Sequence, residues 1–137
     1  MPSIERWCVM VQREIADRFF ARPRTKAYGE VSVLVQLQTR KVGMRRVPPT
    51  VFRPRPRVES AVVAFERVLG PDLSSVRDLV DRAFAHRRKT LANSVALGGT
   101  VTRARVEEAL ASIGKAQGVR AEELTPLEFV ALAEALG

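Results

Sequence analysis

Histidine and cysteine, the side chains best suited to zinc binding and common in nucleophilic catalysis, each occur once in this sequence. His86 is the only histidine and Cys8 the only cysteine among the 137 residues. A Ser-His-Asp site would have to use His86, while an internal disulfide, a zinc site with two histidines and a cysteine cluster are all excluded. The eight glycines include no Gly-x-Gly pair and no Gly-Lys-Ser/Thr turn of the kind that cradles nucleotide phosphates. We therefore predict no metal ligand and no cofactor-binding residue in this chain.

Positive charge is concentrated between residues 40 and 57, where seven cations occur without a single acid. Prolines at positions 48, 49, 54 and 56 make the second half of this run stiff and extended. A rigid basic loop holds its cations at fixed spacing, which suits a phosphate backbone. We predict nucleic-acid contact for five arginines of the run: Arg45, Arg46, Arg53, Arg55 and Arg57. The alternative is an ordinary solvated strand and loop.

Two further features of the sequence have both a structural and a functional interpretation. Phe52 is a large aromatic residue between prolines, so it either packs in the core or needs some other partner for its ring. Arg87, Arg88 and Lys89 follow an apolar helical pattern. These three cations either stabilise the negative end of a helix dipole or clamp RNA phosphates.

The hydropathy pattern of the first half is typical of the end of an α/β sheet. A continuous apolar run at 7–11 predicts a strand buried on both faces, with Cys8 as a small buried side chain. Helical spacing follows at 12–21, and the β-branched segments 31–37 and 58–65 predict two more strands. The sheet is thus predicted to be incomplete, with an exposed strand edge that favours poor solubility or dimerisation.

Amphipathic helices are predicted for the second half. The first has one apolar stripe at 76–84 and a capping box at Ser75–Asp78. Helical stretches follow at about 87–97 and 106–113. The last begins with a capping box at Thr125 and a proline at its first position. The pattern indicates a compact domain of about four helices.

The charge balance changes at the same point as the hydropathy pattern. Residues 1–67 contain 14 basic and 6 acidic residues, whereas 68–137 contain nine of each. We therefore predict two units, 1–68 and 72–137. The net charge of +8 favours a polyanionic partner, nucleic acid first and an anionic membrane surface second. No apolar run is long enough for a membrane span and no signal-peptide stretch is present, so we predict a cytoplasmic protein without a membrane partner.

Five motifs follow one another along the chain from about residue 6 to its end. The most specific is V-P-P-x-x-F-x-P-x-P-x-V-E-S-A-V-V over 47–63. The others are V-M-V-Q-R-E-I-A-D-R at 9–18, Y-G-x-x-S-V-L-V-Q at 28–36, F-A-H-R-R-K-T-L-x-N-S at 84–94, and R-A-E-E-L-T at 120–125 with Phe129. Together they resemble the ribosomal RNA adenine dimethyltransferase family. Ala92 stands where that family commonly has an arginine.

The resemblance implies the C-terminal part of a Rossmann-like methyltransferase sheet over 1–68 and a small helical, RNA-contacting domain over 72–137. The implied activity transfers methyl groups from S-adenosylmethionine to N6 of two adjacent adenines in small-subunit ribosomal RNA or its 30S precursor. Phe52 then stacks on the flipped target adenine, and Arg87, Arg88 and Lys89 contact RNA.

The resemblance also implies what this chain lacks. The family's glycine-rich cofactor loop and its Asn-Leu-Pro-Tyr motif are missing from the sequence. We therefore expect Met1 to be an internal position of a longer family member. We expect the chain alone neither to bind S-adenosylmethionine nor to turn over.

Two other functions stay open. A methyltransferase remnant can serve as a non-catalytic RNA-binding module in ribosome assembly, and a partner gene or upstream frame encoding the glycine-rich half discriminates it from the enzyme. A DNA-binding relative is the third interpretation. Affinities for ribosomal RNA and duplex DNA at matched salt separate it from the first two.

Overall fold

The computed structural model describes residues 6–54, 57–68 and 73–137. The described residues form three strands: β1 (Arg6–Gln12), β2 (Thr39–Val47) and β3 (Ser60–Arg67). They also form six helices: α1 (Arg13–Phe19), α2 (Glu30–Gln38), α3 (Ser74–Phe84), α4 (Leu91–Ala96), α5 (Arg103–Ser112) and α6 (Pro126–Leu136). The predicted architecture, part of an α/β sheet followed by helices, is confirmed.

The three strands form one antiparallel sheet in the order β1-β3-β2. Gln12 of β1 and Val47 of β2 both pair with Ser60, the first residue of β3. The register of β2 against β3 shifts between Lys41 and Gly43, which indicates a bulge. One end of the sheet therefore brings together the end of β1, the end of β2 and the beginning of β3.

The prediction that the first strand is buried on both faces is wrong. Exposure alternates along β1, with half-buried residues at every second position. Trp7 lies opposite Phe65 and stacks on it with ring centroids 5.4 Å apart, so this face has a partner. On the other face Cys8 is exposed and Met10 is 55% exposed. Among the described residues, α1 packs against the first face, which contains Val11, and no helix packs against the face of Cys8 and Met10. The strand period of two sends these two sets of side chains to opposite sides of the sheet.

The predicted strand at 31–37 is a helix, α2. Ser32, Val33 and Leu37 are its buried residues, which is helical rather than alternating spacing. The Ser32 hydroxyl donates a hydrogen bond to the Arg18 carbonyl and accepts one from the Gly29 N–H at 3.1 Å. Packing and this buried serine therefore override the strand preference of the valines.

The second half forms the four predicted helices. The apolar stripe of α3 is confirmed, since Val76, Leu79, Val80 and Ala83 are buried. The capping box predicted at Ser75–Asp78 is wrong, because the N-cap residue of α3 is Leu73, two residues before Ser75, and the helix begins at Ser74. The segment predicted as helical at about 87–97 is shorter and begins at Leu91, where the Thr90 side chain accepts the Asn93 N–H. The capping box and N-terminal proline of α6 are confirmed.

One hydrophobic cluster joins α2 to the helices that follow. Tyr28, Val33 and Leu37 belong to the same buried cluster as the apolar residues of α3–α6. A smaller cluster of Ala16, Ala61 and Val63 lies between α1 and the sheet. The division into 1–68 and 72–137 stays a prediction, and its boundary at 69–72 lies outside the described residues.

Candidate nucleic-acid interface

The first part of the candidate interface is β2, the basic strand at one edge of the sheet. Arg45 lies opposite Val62 and Arg46 opposite Ala61, so the two arginines point to opposite faces. Both are exposed, and neither forms an ion pair within the described part of the chain. Arg40, on the same strand, pairs with Glu66. The edge therefore presents free cations on both faces instead of one continuous row.

The loop after β2 places Phe52 beside the end of β1. A short 3-10 turn, Pro49–Val51, precedes the ring, and the Phe52 N–H donates to the Pro49 carbonyl at 3.2 Å. The half-buried ring lines an open cleft of about 310 Å³. The other residues that line it are Met10, Val11, Gln12, Pro54 and Ser60. A cleft with an aromatic wall is suited to stacking against a planar base.

An ion pair fixes the far end of this loop. Arg13 Nη1 lies 2.7 Å from Glu59 Oε2, and the Arg13 N–H donates to the Glu59 carbonyl at 2.9 Å. Arg13 is also 3.8 Å from Asp17 on the next turn of α1. The loop that contains Phe52 is therefore held at both ends, by the β2–β3 pairing and by the start of α1.

Charged side chains accompany the ring within the loop. Arg53 and Arg57 are exposed and form no ion pair among the residues that the structure describes. Arg55, also predicted to contact nucleic acid, lies outside the described residues. Phe52, Arg53 and Arg57 thus occupy one loop that combines an aromatic wall with positive charge.

The second predicted basic cluster lies at the junction between α3 and α4. Arg88 and Lys89 are exposed, and within 6–54, 57–68 and 73–137 neither has an acidic partner. Arg87 differs, because its Nη2 donates to the carbonyls of Lys26 and Tyr28 at 3.3 and 3.2 Å. The guanidinium of Arg87 therefore contacts backbone carbonyls of the loop that precedes α2.

The sequence interpretation missed the cations of that loop. Arg22 and Lys26 are exposed, and the contact of Arg87 with the Lys26 carbonyl brings their loop to the 87–89 cluster in the folded chain. The signal available in the sequence was the alternation of basic residues at 22, 24 and 26. These three cations in five residues are a weaker signal than the seven cations at 40–57.

Tyr28, the residue that accepts from Arg87, is the anchor of this loop. Its side chain is completely buried and its hydroxyl donates to the Leu124 carbonyl at 2.7 Å. Burial raises the pKa of the Tyr28 phenol above its ordinary value, and the nearby charge of Glu128 raises it further. The phenol is therefore a neutral, structural hydrogen-bond donor.

The resemblance implies S-adenosylmethionine for the family, and neither the turn after β1 nor the glycines at 29 and 43 give the close backbone approach that a glycine-rich cofactor loop provides. The turn after β1 runs from Gln12 into Arg13 without a glycine. A Cβ placed on Gly29 or Gly43 meets no atom within 4 Å, so neither position is a close backbone cradle. No group of three or more metal-binding side chains occurs among the described residues. None of the described helices has the length and apolar character that a bilayer crossing requires.

Two solved structures of methyl-transferring enzymes have a fold similar to that of this chain. A dimethyladenosine transferase from Plasmodium falciparum matches with a TM-score of 0.74 and 21% identity, over 93% of this chain and 55% of that one. The 23S rRNA methyltransferase ErmE matches with a TM-score of 0.63 and 25% identity, over 98% of this chain and 56% of that one. The fold is thus that of the Rossmann-like RNA methyltransferases.

Sequence comparisons identify the family. The family model described as ribosomal RNA adenine dimethylase matches residues 1–136, so the chain belongs to that family. A ribosomal RNA small subunit methyltransferase A from Rubrobacter xylanophilus is 50% identical over 96% of this chain. One from Desulfitobacterium hafniense is 41% identical over 98% of it. The chain spans about half the length of these relatives, 50% in both cases.

Proposed function

We propose that this chain is the RNA-facing part of a ribosomal RNA adenine N6,N6-dimethyltransferase. The proposed substrate is a pair of adjacent adenines in small-subunit ribosomal RNA or its 30S precursor, and the proposed location is the cytoplasm. The observation that carries the proposal is the position of Phe52 on a cleft at the end of β1. The exposed cations Arg53 and Arg57 accompany the ring in its loop. Membership of the adenine dimethylase family supports it.

The proposed role of these residues is to hold the base and its strand. An adenine within an RNA helix must leave its stack before its amino group can react, and an aromatic wall offsets part of the lost stacking. Phe52 supplies that wall, and Arg45, Arg46, Arg53, Arg55 and Arg57 contact the phosphates. S-adenosylmethionine, when bound by the enzyme, supplies the electrophilic methyl group. The adenine N6 is the nucleophile and releases one proton for each methyl group that it gains; water accepts this proton, so the lone His86 is not needed as a base.

The two units have different roles in this proposal. Residues 1–68 contribute the end of the methyltransferase sheet and the base cleft, and 72–137 contribute RNA contact through Arg88 and Lys89. The chain alone binds no S-adenosylmethionine and is inactive. Calorimetry with S-adenosylmethionine and the isolated chain tests this part, and binding in the micromolar range contradicts it.

The Phe52 role is tested by binding to two RNA hairpins that differ at one position. One hairpin carries two adjacent unpaired adenines, and the other has an abasic site in place of one of them. Base–aromatic stacking is worth about 1–3 kcal/mol, so the wild-type chain prefers the adenine hairpin roughly tenfold. Phe52→Ala removes this preference.

A neighbouring residue provides the matched control. Val51 is 62% exposed in the same loop, and Val51→Ala keeps the preference for the adenine hairpin. Fusion to the N-terminal half of the Rubrobacter relative adds an activity readout, in which Phe52→Ala lowers methyl incorporation at least tenfold. Equal preference in the wild type and Phe52→Ala contradicts base stacking at this position.

The second candidate is a non-catalytic RNA-binding module for ribosome assembly. It is favoured by one observation, that the eight glycines of the sequence include no Gly-x-Gly pair of a cofactor loop. The fusion protein distinguishes the two functions. Methyl incorporation into small-subunit RNA by the fusion supports the enzyme, whereas tight RNA binding without methyl incorporation supports the assembly module.

A further inference from the structure

We propose that the loop 22–28 and the junction 86–89 together form a second phosphate-binding surface, here called the loop–junction surface. Its contact cations are Arg22, Lys26, Arg88 and Lys89, and Arg87 is a positioning residue that holds the loop. The inference rests on the proposed function, because it takes RNA as the ligand. It adds Arg22 and Lys26 to the RNA contacts and changes the role assigned to Arg87.

The loop 22–28 is held in place by hydrogen bonds within it. The Thr25 hydroxyl donates to the Arg22 carbonyl at 2.6 Å, and the Tyr28 N–H donates to the Thr25 carbonyl at 3.2 Å. Arg24 adopts a left-handed conformation with φ of 70°, which turns the chain between Arg22 and Lys26. Its cations therefore project from a defined turn.

Contacts with distant residues anchor the same loop on both sides. The Arg24 N–H donates to the Glu122 carbonyl at 2.7 Å, and the Arg24 guanidinium pairs with Glu123. On the other side Arg87 reaches the carbonyls of Lys26 and Tyr28. The contacts of Arg87 thus connect the backbone at Lys26 to the junction that carries Arg88 and Lys89.

Positive charges outnumber negative charges on the loop–junction surface. Arg24 is neutralised by Glu123, but the part of the chain that the structure describes contains no acidic partner for Arg22, Lys26, Arg88 or Lys89. Because the backbone that carries these four exposed cations is already held by hydrogen bonds, binding to phosphates requires little further ordering of the backbone. This arrangement predicts binding of a polyanion.

The surroundings of these cations favour RNA over a membrane. The large apolar side chains that are exposed on the described residues include none within 20–28 or 85–90. A membrane-binding surface needs apolar groups that enter the lipid in addition to cations. The loop–junction surface offers cations alone, which suits a nucleic-acid backbone.

Arg87 acts through the loop rather than on the RNA. Two carbonyl oxygens occupy its Nη2, and these contacts set the position of Lys26 relative to Arg88 and Lys89. A lysine at position 87 keeps the charge but presents a single ammonium group on a flexible stem. The charge and the positioning role of this residue can therefore be separated.

Salt dependence of binding to a small-subunit ribosomal RNA fragment tests the surface. Each phosphate contact contributes about 0.7–0.9 to the slope of log K against log salt. Lys26→Ala and Arg22→Ala are each expected to reduce the slope by about one, with roughly fivefold weaker binding at physiological salt. The matched control is Arg103→Ala on α5, which removes one exposed positive charge elsewhere and leaves the slope unchanged.

The positioning role of Arg87 requires a readout besides affinity. Arg87→Ala and Arg87→Lys are both expected to speed hydrogen exchange at the Tyr28 N–H and to weaken RNA binding. In the Arg87→Ala background, Lys26→Ala then has a smaller effect than in the wild type. Retention of full affinity and exchange protection by Arg87→Lys overturns the positioning role and assigns Arg87 to a direct phosphate contact.

The outcomes separate this surface from the proposed function. An unchanged salt slope in both Lys26→Ala and Arg22→Ala, with RNA binding and the Phe52-dependent adenine preference intact, overturns the loop–junction surface alone. Absence of RNA binding by the wild-type chain overturns both. Binding to vesicles of anionic lipid that matches RNA binding at the same salt overturns the choice of RNA as the ligand.

Discussion

Tyr28 is a buried polar residue that connects two parts of the chain that are distant in sequence. It is among the largest completely buried side chains, and its hydroxyl reaches a carbonyl 96 residues away, that of Leu124. Its ring also contacts Phe84, with centroids 6.2 Å apart. The loop that precedes α2 is thereby joined to the segment that precedes α6. The contacts of Arg87 extend this arrangement to the surface.

We expect Tyr28→Phe to destabilise the chain by about 1–3 kcal/mol, because the buried Leu124 carbonyl loses its donor. Urea unfolding at neutral pH measures the difference. Since the folded-state pKa of the phenol is raised, the wild type loses stability as pH rises above the ordinary tyrosine value of about 10. The Tyr28→Phe variant lacks this loss of stability at alkaline pH. If the free energy of unfolding falls equally with alkaline pH in the two proteins, the phenol is not buried and neutral.

The capping arrangement of α6 combines a local signal with a distant cation. The Glu128 side chain accepts the Thr125 N–H at 2.9 Å, and the Thr125 hydroxyl accepts the Glu128 N–H at 3.2 Å. Lys115 lies 2.5 Å from the same carboxylate. Burial alone raises the pKa of Glu128. The hydrogen bonds from Lys115 and Thr125 and the charge of Lys115 outweigh burial and lower it.

We expect Glu128→Gln to destabilise the chain at pH 7 by about 0.5–1 kcal/mol, because glutamine keeps the cap but not the ion pair. The depressed carboxylate pKa stabilises the fold above the ordinary glutamate value of about 4.3. This contribution is lost as pH falls through the lower folded-state value. Urea unfolding measures the free energy of unfolding of both proteins, and we expect the difference between them to disappear from neutral to acidic pH. Glu134→Gln, which removes a carboxylate at an exposed position of the same helix, is the control for the change in net charge.

Element types were predictable where the local pattern and the tertiary environment agree. The spacing of apolar residues in α3 and the cap of α6 are local signals, and both predictions hold. The segment of α2 has the β-branched composition of a strand, yet it is a helix. Its helical form depends on Ser32 bonding to Arg18 and on Val33 and Leu37 entering the core. These partners are distant in sequence, so the local pattern could not indicate them.

At the scale of the whole molecule, the two edges of the sheet differ in character. The edge strand β2 carries Arg45 and Arg46, and charged edges resist pairing with another chain. The other edge, β1, pairs only with β3 among the described residues and exposes Cys8 and Met10. Among the described residues, the sheet therefore has one edge whose arginines oppose association and one edge that lacks this protection.

We expect the isolated chain to self-associate through β1, and Met10→Lys to shift it toward monomer. A lysine on an edge strand opposes pairing by charge repulsion and by the cost of burying an ammonium group. Sedimentation velocity across a concentration series measures the shift. Val42→Lys on β2 is the matched control, because both side chains are 55% exposed. Equal dissociation by both variants argues against an interface at β1.

The candidate site divides in the same way between local and tertiary information. The basic run at 40–57, the proline-rich loop around Phe52 and the cations at 87–89 could all be recognised from the sequence, because charge and proline content are local properties. The predicted extended form of that loop is wrong at Pro49–Val51, which is a 3-10 turn. The cleft beside β1 could not be recognised from the sequence, since it requires the register that sets Gln12 and Val47 opposite Ser60. The same holds for the proximity of Lys26 to the 87–89 cluster.

The family, the order of an α/β part before a helical part and the concentration of positive charge could all be inferred without coordinates. Hydrophobic periodicity and local charge depend on residues that are close in sequence, and the order of motifs depends only on their positions along the chain. Three features became apparent only in the folded chain: α2 is a helix, Cys8 is exposed and Arg87 donates hydrogen bonds to backbone carbonyls. Each of these depends on which distant groups exclude water or offer a hydrogen bond, and those groups meet only when the chain folds.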